Sequence, residues 1–446
     1  MAEILRSVGL DVGTTTTQLV VSQLQIQNQA GAFSVPKMAI TERKILYRSP
    51  VYFTPLVGQD LVDGAAIREI VEKEYAAAGI DREALDTGAV IITGETSRKE
   101  NARSVLENLS EFAGDFVVAT AGPDLESVLA AKGAGAVDFS EKTGKTVLHM
   151  DIGGGTSNLA LIESGKITAT GCLNVGGRLL KFDEKGEISY VSPVLQGFER
   201  NVQQIVDKLA QALEMAAGLR PPDKLFDHFW TKECLGGADW LQRLPKEDLV
   251  ISFSGGVADC IEKAQDHLAF GDIGPALGKA IRKSRLCQGQ YRLGEQTIRA
   301  TVIGAGCHSA QLSGSTVFYR NIAFPLKNLP VVRFQTTGQI QKRLQAQDGD
   351  AVLALEGISS PSYGQVVELA EQIVKAAGNR PVYVALEQDM AKALGQAIAL
   401  RLPPDRPCLC IDSVALEEGS FLDVAAPVGP ALPVVIKTLI LGGSYE

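Results

Sequence analysis

Two stretches of this chain, 140 residues apart (151 minus 11), carry the same device. Around Asp11 the sequence is V-G-L-D-V-G-T-T-T-T-Q-L-V-V, and around Asp151 it is L-H-M-D-I-G-G-G-T-S-N-L-A-L. Aligned, Asp11 meets Asp151, Gly13 meets Gly153 and Thr16 meets Thr156, with Thr17 against Ser157, Gln18 against Asn158 and Leu19 against Leu159. In each copy an apolar run (7–10; 146–150) ends in the aspartate. A turn of small residues follows, and a β-rich run (18–21; 158–161) leaves it. That is a strand, tight turn, strand pattern. Self-similarity at the spacing of one domain marks a duplicated domain.

Composition frames the repeat. A chain of 446 residues corresponds to about three structural units. Its 43 basic and 52 acidic side chains leave a formal charge of −9, the wrong sign for nonspecific nucleic-acid binding or a polybasic membrane anchor. At 45% hydrophobic and 21% charged, it has globular rather than disordered composition. No basic run precedes an apolar stretch near Met1, and the apolar tract 431–441 is short and contains Lys437. A soluble, cytoplasmic protein that binds neither nucleic acid nor membrane is expected. The seven cysteines, Cys172, Cys234, Cys260, Cys287, Cys307, Cys408 and Cys410, make no disulfide framework, and only the last two have metal-ligand spacing. With four scattered histidines beside them, all seven read as buried, reduced thiols.

Between the copies, 61–78 reads as a helix with a charged face, 89–93 as a buried strand ending in Gly94-Glu95, and 98–109 as an amphipathic helix. A strand at 116–120 and a helix at 124–131 follow. In the second copy a turn at Glu163-Ser164-Gly165-Lys166 leads to a third strand at 167–173, and Gly176-Gly177 closes the meander before a helix at 201–213. Two later strands end in glycine: 249–253 before Ser254-Gly255-Gly256, and 301–303 before Gly304-Ala305-Gly306. Small-residue segments after them, 258–264 and 309–312, read as helices. From about Leu326 strands at 351–356, 382–386 and 408–412 alternate with helices at 363–377 and 390–400, a small α/β unit. The Pro- and Gly-rich stretch 411–435 reads as surface wrapping. The expected domains are 1–145, with an inserted segment near 30–85, then 146–325, then 326–446.

A turn built from glycine and threonine points several backbone N–H groups into one concavity, which suits phosphate oxygens. A carboxylate just before it would repel a bare triphosphate, and becomes favourable when Mg²⁺ sits between. Asp11 and Asp151, from two facing halves, would then flank one metal-phosphate centre. Asp151 is the candidate to orient the attacking water or to hold its metal shell, with Asp11 opposite. Glu95 either activates water or caps the following helix. Thr156 either donates to the γ-phosphate or steadies its turn. No G-x-x-x-x-G-K-[ST] is present, and no helix directly follows these turns as a dinucleotide fingerprint requires.

The order of these segments resembles the actin, Hsp70 and sugar-kinase superfamily over about the first 320 residues. Its first phosphate loop would be 9–17, its second 149–158, its connecting segments 91–97 and 302–313, and its adenosine segment 251–259. The resemblance implies an α/β fold of duplicated actin-like, ribonuclease H-like lobes around a nucleotide cleft, followed by a C-terminal α/β extension. It further implies that Asp11 and Asp151 hold Mg²⁺ through water and that Thr14, Thr15, Thr16, Gly153, Gly154, Gly155 and Thr156 grip the phosphates of ATP or ADP together with Gly13. Gly255 and Gly256 would let backbone approach the adenine and ribose, and Gly304 and Gly306 would allow close helix packing at the hinge.

Within the superfamily, I-T-G-E-T-S-R-K-E-N-A from Ile92, A-G-P-D-L-E-S-V-L-A from Ala121 and N-V-G-G-R from Asn174 resemble the reactivating factors of ethanolamine ammonia-lyase. That resemblance implies a chaperone-like ATPase whose partner is the lyase, which it helps to exchange damaged cobalamin for intact adenosylcobalamin. No D-x-H-x-x-G sequence surrounds any histidine, so no stable cobalamin site is expected. Homodimer formation and association with the ethanolamine-utilisation microcompartment stay open. A small-molecule kinase of the same fold would show acceptor-dependent ATP consumption. An actin-like nucleotide-binding scaffold would show particle growth with Mg-ATP.

Overall fold

The computed structural model describes residues 3–13, 16–28, 38–57, 61–81, 84–93, 117–120, 122–231, 240–245, 248–263, 265–266, 269–308, 310–313, 316–334, 344, 349–416, 420–427 and 432–438. Alternate residues of β1 (Glu3–Val12) serve opposite faces of a sheet. Val8, Leu10 and Val12 pack with Leu19 and Val21 of β2 (Thr16–Asn28) and with Ile67 and Val71 of helix Gly64–Ala78. That helix starts on a cap from the Asp63 carboxylate to Ala66 N at 3.0 Å and ends at Gly79, whose φ of 63° only glycine adopts freely. Ser7, Gly9 and Asp11 face the other way.

The first sheet adds β3 (Met38–Arg48), β4 (Tyr52–Phe53), β7 (Thr87–Ile92) and β8 (Val117–Thr120), with a small hairpin of β5 (Leu56–Val57) and β6 (Leu61–Val62) beside it. Its order is β3-β2-β1-β7-β8, with β4 paired to β2. The second sheet contains β9 (Thr146–Ile152), β10 (Ser157–Glu163), β11 (Lys166–Leu173), β14 (Leu249–Ser254) and β15 (Tyr291–Leu293), and β12 (Leu180–Phe182) pairs separately with β13 (Ile188–Val191). Its order is β11-β10-β9-β14-β15. In both sheets the first three strands are antiparallel and the next two run parallel to the first. The duplication seen in two short motifs thus extends to whole sheets. Met38–Arg48, within the stretch read as an insertion, is the third strand of the first one.

Two helices are exchanged between the lobes. Helix Pro123–Gly133 follows the first sheet yet lies on the second: Glu126 Oε2 accepts from Asn158 Nδ2 at 2.7 Å and Ser127 Oγ donates to Gly171 O at 3.4 Å. Helix Ala300–His308 follows the second sheet yet lies on the first, where Ser7 Oγ donates to Gly306 O at 2.5 Å. The helices meet through glycines. A Cβ on Gly133 would sit 1.9 Å from Ala300 O, and one on Gly304 would sit 2.0 Å from Leu129 O. Gly306 packs on Gly9 of β1.

This contact corrects the strand expected at 301–303. Thr301, Val302 and Ile303 have β-branched side chains that favour extended backbone, but they lie within helix Ala300–His308. Val302 and Ile303 bury themselves with Leu5, Val20 and Leu24 instead, and tertiary packing outweighs local propensity. The helix expected at 309–312 is strand β16 (Ala310–Leu312).

β16 opens a third sheet of order β16-β23-β22-β18-β19-β20-β21-β17, made with β17 (Phe318–Arg320), β18 (Leu326–Arg333), β19 (Val352–Leu355), β20 (Val382–Leu386), β21 (Cys408–Ile411), β22 (Ser420–Val424) and β23 (Pro433–Thr438). β18 to β21 are parallel, with helices Tyr363–Ala377 and Ala391–Ala399 as crossovers. The described part of the stretch 411–435 does not wrap the surface: Leu422, Val424, Leu432 and Val434 are fully buried in the sheet's second core face. Pro427 follows β22 and Pro433 opens β23, and the alternating apolar residues of the two strands decide its place. All six cysteines among the described residues are buried and unpaired; Cys234 lies outside them.

Candidate functional site

The two acidic hairpins share one geometry. Asp11 stands opposite Gln18 in the β1–β2 pair, and Gly13 N donates to Thr16 O at 2.9 Å. Asp151 stands opposite Asn158 in the β9–β10 pair, and Gly153 N donates to Thr156 O, also at 2.9 Å. Surrounding backbone pins the second turn: Gly177 N donates to Gly153 O at 3.0 Å and Arg178 N to Gly154 O at 2.7 Å. Gly176 must be glycine there, because a Cβ would fall 2.3 Å from Gly154 O. Gly155 has open space where a Cβ would lie, so its backbone is approachable. In the first turn Thr54 Oγ1 donates to Gly13 O at 2.7 Å.

Both carboxylates resist ionisation. Burial pushes Asp11 up to about 7, opposed by a 2.9 Å hydrogen bond from Thr93 Oγ1 and reinforced by the charge of Asp151. Burial likewise pushes Asp151 up to about 6, opposed by hydrogen bonds from Ser254 and Thr301. The amide oxygens opposite them, Gln18 Oε1 and Asn158 Oδ1, are buried and unpartnered. Each amide's orientation is set by its nitrogen, since Gln18 Nε2 donates to Ile298 O at 3.1 Å and Asn158 Nδ2 to Glu126. Among the described residues no three His, Cys, Asp or Glu side chains gather as a metal cluster. Any cation between these carboxylates would need waters or ligand oxygens to complete its shell.

Gly255 takes φ 87° and tucks under β9, where a Cβ would meet Ile152 O at 2.3 Å; Gly256 beside it is nearly free of neighbours. Thr297 Oγ1 donates to Asp259 Oδ1 at 2.9 Å behind this turn. Gly304 serves the crossing of the two helices, and Gly306 seats helix Ala300–His308 on Gly9 of β1. Across the mouth, the Phe53 ring lies 5.1 Å from the Arg178 guanidinium, whose Nε is 3.2 Å from Asp272 Oδ2. Phe53 pairs with Thr16 just after the first turn, and Arg178 follows the second, so this contact links the hairpins.

Asp11 therefore lies near enough to Asp151 for their charges to interact, and each precedes its own turn, Gly13 and Thr16 in the first lobe and Gly153, Gly154, Gly155 and Thr156 in the second, while Thr14, Thr15, Glu95 and the helix expected at 98–109 lie outside the described residues. Thr93, Ser254, Thr301 and Arg178 were missed. Ser252 and Ser254, alternating on an otherwise apolar strand, were a readable sign that polar side chains line one buried face.

Two sheets of one topology, each opening an acidic hairpin towards the other and joined by exchanged helices, define the duplicated actin-like fold. The chain belongs to the EutA family: the family model described as ethanolamine utilisation protein EutA matches residues 3–442. It is 38% identical to the ethanolamine ammonia-lyase reactivase EutA of Salmonella typhimurium over 98% of both chains. The protein of that name from Escherichia coli has the same identity and coverage. Among solved structures, a Ppx/GppA family member from Aquifex aeolicus covers 68% of this chain and 97% of its own, at 13% identity and a TM-score of 0.41. Among the described residues no helix is long and apolar enough to cross a membrane.

Proposed function

We propose that this chain is a chaperone-like ATPase that reactivates ethanolamine ammonia-lyase, promoting exchange of damaged cobalamin for intact adenosylcobalamin. The observation that carries the nucleotide part is the pair Asp11 and Asp151, set in matching registers of two lobes and close enough for one charge to raise the other's pKa. The lyase part rests on family membership and on the name borne by relatives 38% identical over 98% of the chain.

Magnesium fits these residues. Two carboxylates that burial holds reluctant to ionise, Asp11 raised further by the charge of Asp151, are relieved by a hard cation, and the unpartnered Gln18 and Asn158 oxygens offer the acceptors such a cation or its waters need. Asp11 and Asp151 would hold it through water. When bound, it supplies charge neutralisation at the phosphates. The two turns grip the phosphates of ATP or ADP through backbone N–H groups and the Thr16 and Thr156 hydroxyls, with Gly255 and Gly256 beside the nucleoside.

Force on the lyase comes from cleft closure. Two grips on separate lobes draw together around the nucleotide, and loss of the γ-phosphate releases one set of contacts. A lyase that binds one lobe arrangement better is biased in shape by that differential affinity alone. The protein would work in the cytoplasm, where its net charge of −9 disfavours nucleic acid.

The test incubates inactivated ethanolamine ammonia-lyase with this protein, Mg-ATP and fresh adenosylcobalamin, and measures recovered activity with each component omitted. Recovery that needs all of them supports the reading. Equal recovery without this protein or without ATP overturns it.

A further inference from the structure

His149, Ser252 and Ser254 are all fully buried, on the same face of the second sheet as Asp151. On the parallel strands β9 and β14, His149 stands opposite Ser252 and Asp151 opposite Ser254. His149 Nδ1 is 3.1 Å from Ser252 Oγ, His149 Nε2 is 2.9 Å from Ser254 Oγ, and Ser254 Oγ is hydrogen-bonded to Asp151 Oδ1. We infer that His149, as its neutral Nε2–H tautomer, is a positioning residue that fixes the catalytic orientation of Asp151 through Ser254.

The direction of each bond follows from its acidic end. The Ser254 hydroxyl donates to Asp151 Oδ1. That hydroxyl's remaining partner must then donate to it, which puts the ring proton on Nε2. Nδ1 is left bare and accepts from Ser252. The ring is fully buried between two neutral hydroxyls, so it stays uncharged and has one donor only. The chain ends on one carboxylate oxygen, while Oδ2 lies 3.5 Å from Thr301 Oγ1 on the helix that crosses to the other lobe.

The first lobe lacks this device. Two residues before Asp11 stands Gly9, whose missing side chain admits helix Ala300–His308, and Asp11 has the Thr93 hydroxyl instead. An apolar side chain at position 149 would fill the second lobe's core without burying an imidazole and two hydroxyls, whose desolvation only the chain of bonds offsets. The duplication is thus broken at the position that orients Asp151, which assigns the two carboxylates different work. This inference rests on the reading of Asp151 as a nucleotide-site carboxylate.

The full chain with Mg-ATP tests it. His149→Phe lowers kcat by roughly ten- to a hundred-fold with KM nearly unchanged. His149→Gln, whose amide nitrogen can stand where Nε2 stood, recovers most of that loss. In the ¹⁵N spectrum of the wild-type protein, His149 gives the Nε2–H tautomer. A folded His149→Phe with wild-type kcat, a Gln variant no better than Phe, or an Nδ1–H tautomer overturns the inference. Should His149→Phe not fold, Ser254→Ala is read for the same loss of kcat, and an unchanged rate there overturns it equally. Wild-type protein that neither binds nor turns over Mg-ATP sinks the nucleotide reading, whereas the tautomer is measured without nucleotide and judges the relay separately.

Discussion

Asp151 raises the pKa of Asp11 although the two belong to different sheets and lie 140 positions apart (151 minus 11). Among the described residues neither carboxylate meets a basic partner; hydroxyls from Thr93, Ser254 and Thr301 hold them. Such a pair costs stability when ionised, and a cation bound between the two carboxylates would offset that cost.

Asp11→Ala and Asp151→Ala each abolish ATP turnover while far-ultraviolet circular dichroism stays that of the wild type. Normal hydrolysis by both variants would show that the two hairpins do not serve one nucleotide.

The same carboxylates make stability depend on pH. Asp11 rises from its ordinary 3.8 to about 7, so the folded protein holds this proton more tightly than the unfolded chain. That contribution is complete below about pH 4 and is lost as pH climbs to about 7. Asp11→Asn removes the loss. Discounted for the partial exposure of Asp11, the variant gains about 1–2 kcal/mol over wild type at pH 8 and less at pH 5, read from urea unfolding without magnesium. A larger gain at pH 5 than at pH 8 reverses the sign and refutes the argument.

Where the exchanged helices cross, there is no room for a methyl group. Gly133→Ala and Gly304→Ala would set Cβ atoms 1.9 Å and 2.0 Å from carbonyl oxygens, and each costs about 3 kcal/mol in thermal or denaturant unfolding. Gly364→Ala, in open space within helix Tyr363–Ala377, leaves stability unchanged or raises it by about 0.5–1 kcal/mol. Equal effects at the three positions would mean the crossing is looser than its distances indicate.

Phe53 is 71% exposed, yet its ring carries the Arg178 contact between the hairpins. Phe53→Ala costs under about 1 kcal/mol of stability, as an exposed cation–π pair should. Small-angle scattering of the nucleotide-free variant shows a larger radius of gyration, because one tie across the mouth is gone. An unchanged radius would mean that the helix crossing alone sets the lobe angle.

Much of the frame was legible because its signals are local. Helix 363–377 and strand 382–386 are legible to the residue, since a Ser362 capping box and a run of buried β-formers announce themselves within a few positions. The strand read at 301–303 and the surface stretch read at 411–435 failed for the opposite reason. In the first, β-branched side chains gain more from burial against the first lobe than from extended backbone. In the second, a sequence rich in proline and glycine hides the alternation that buries Leu422 and Val424.

What the amino-acid order determined alone was the duplication: two aspartates, each before a turn of glycine or hydroxyl residues, fold into hairpins by short-range geometry. Only tertiary structure decided that those hairpins face each other, that helices Pro123–Gly133 and Ala300–His308 trade lobes, and that His149 stands behind one carboxylate and not the other. Burial, charge repulsion and hydrogen-bond direction depend on which distant strands become neighbours, and that is settled by packing over the whole chain.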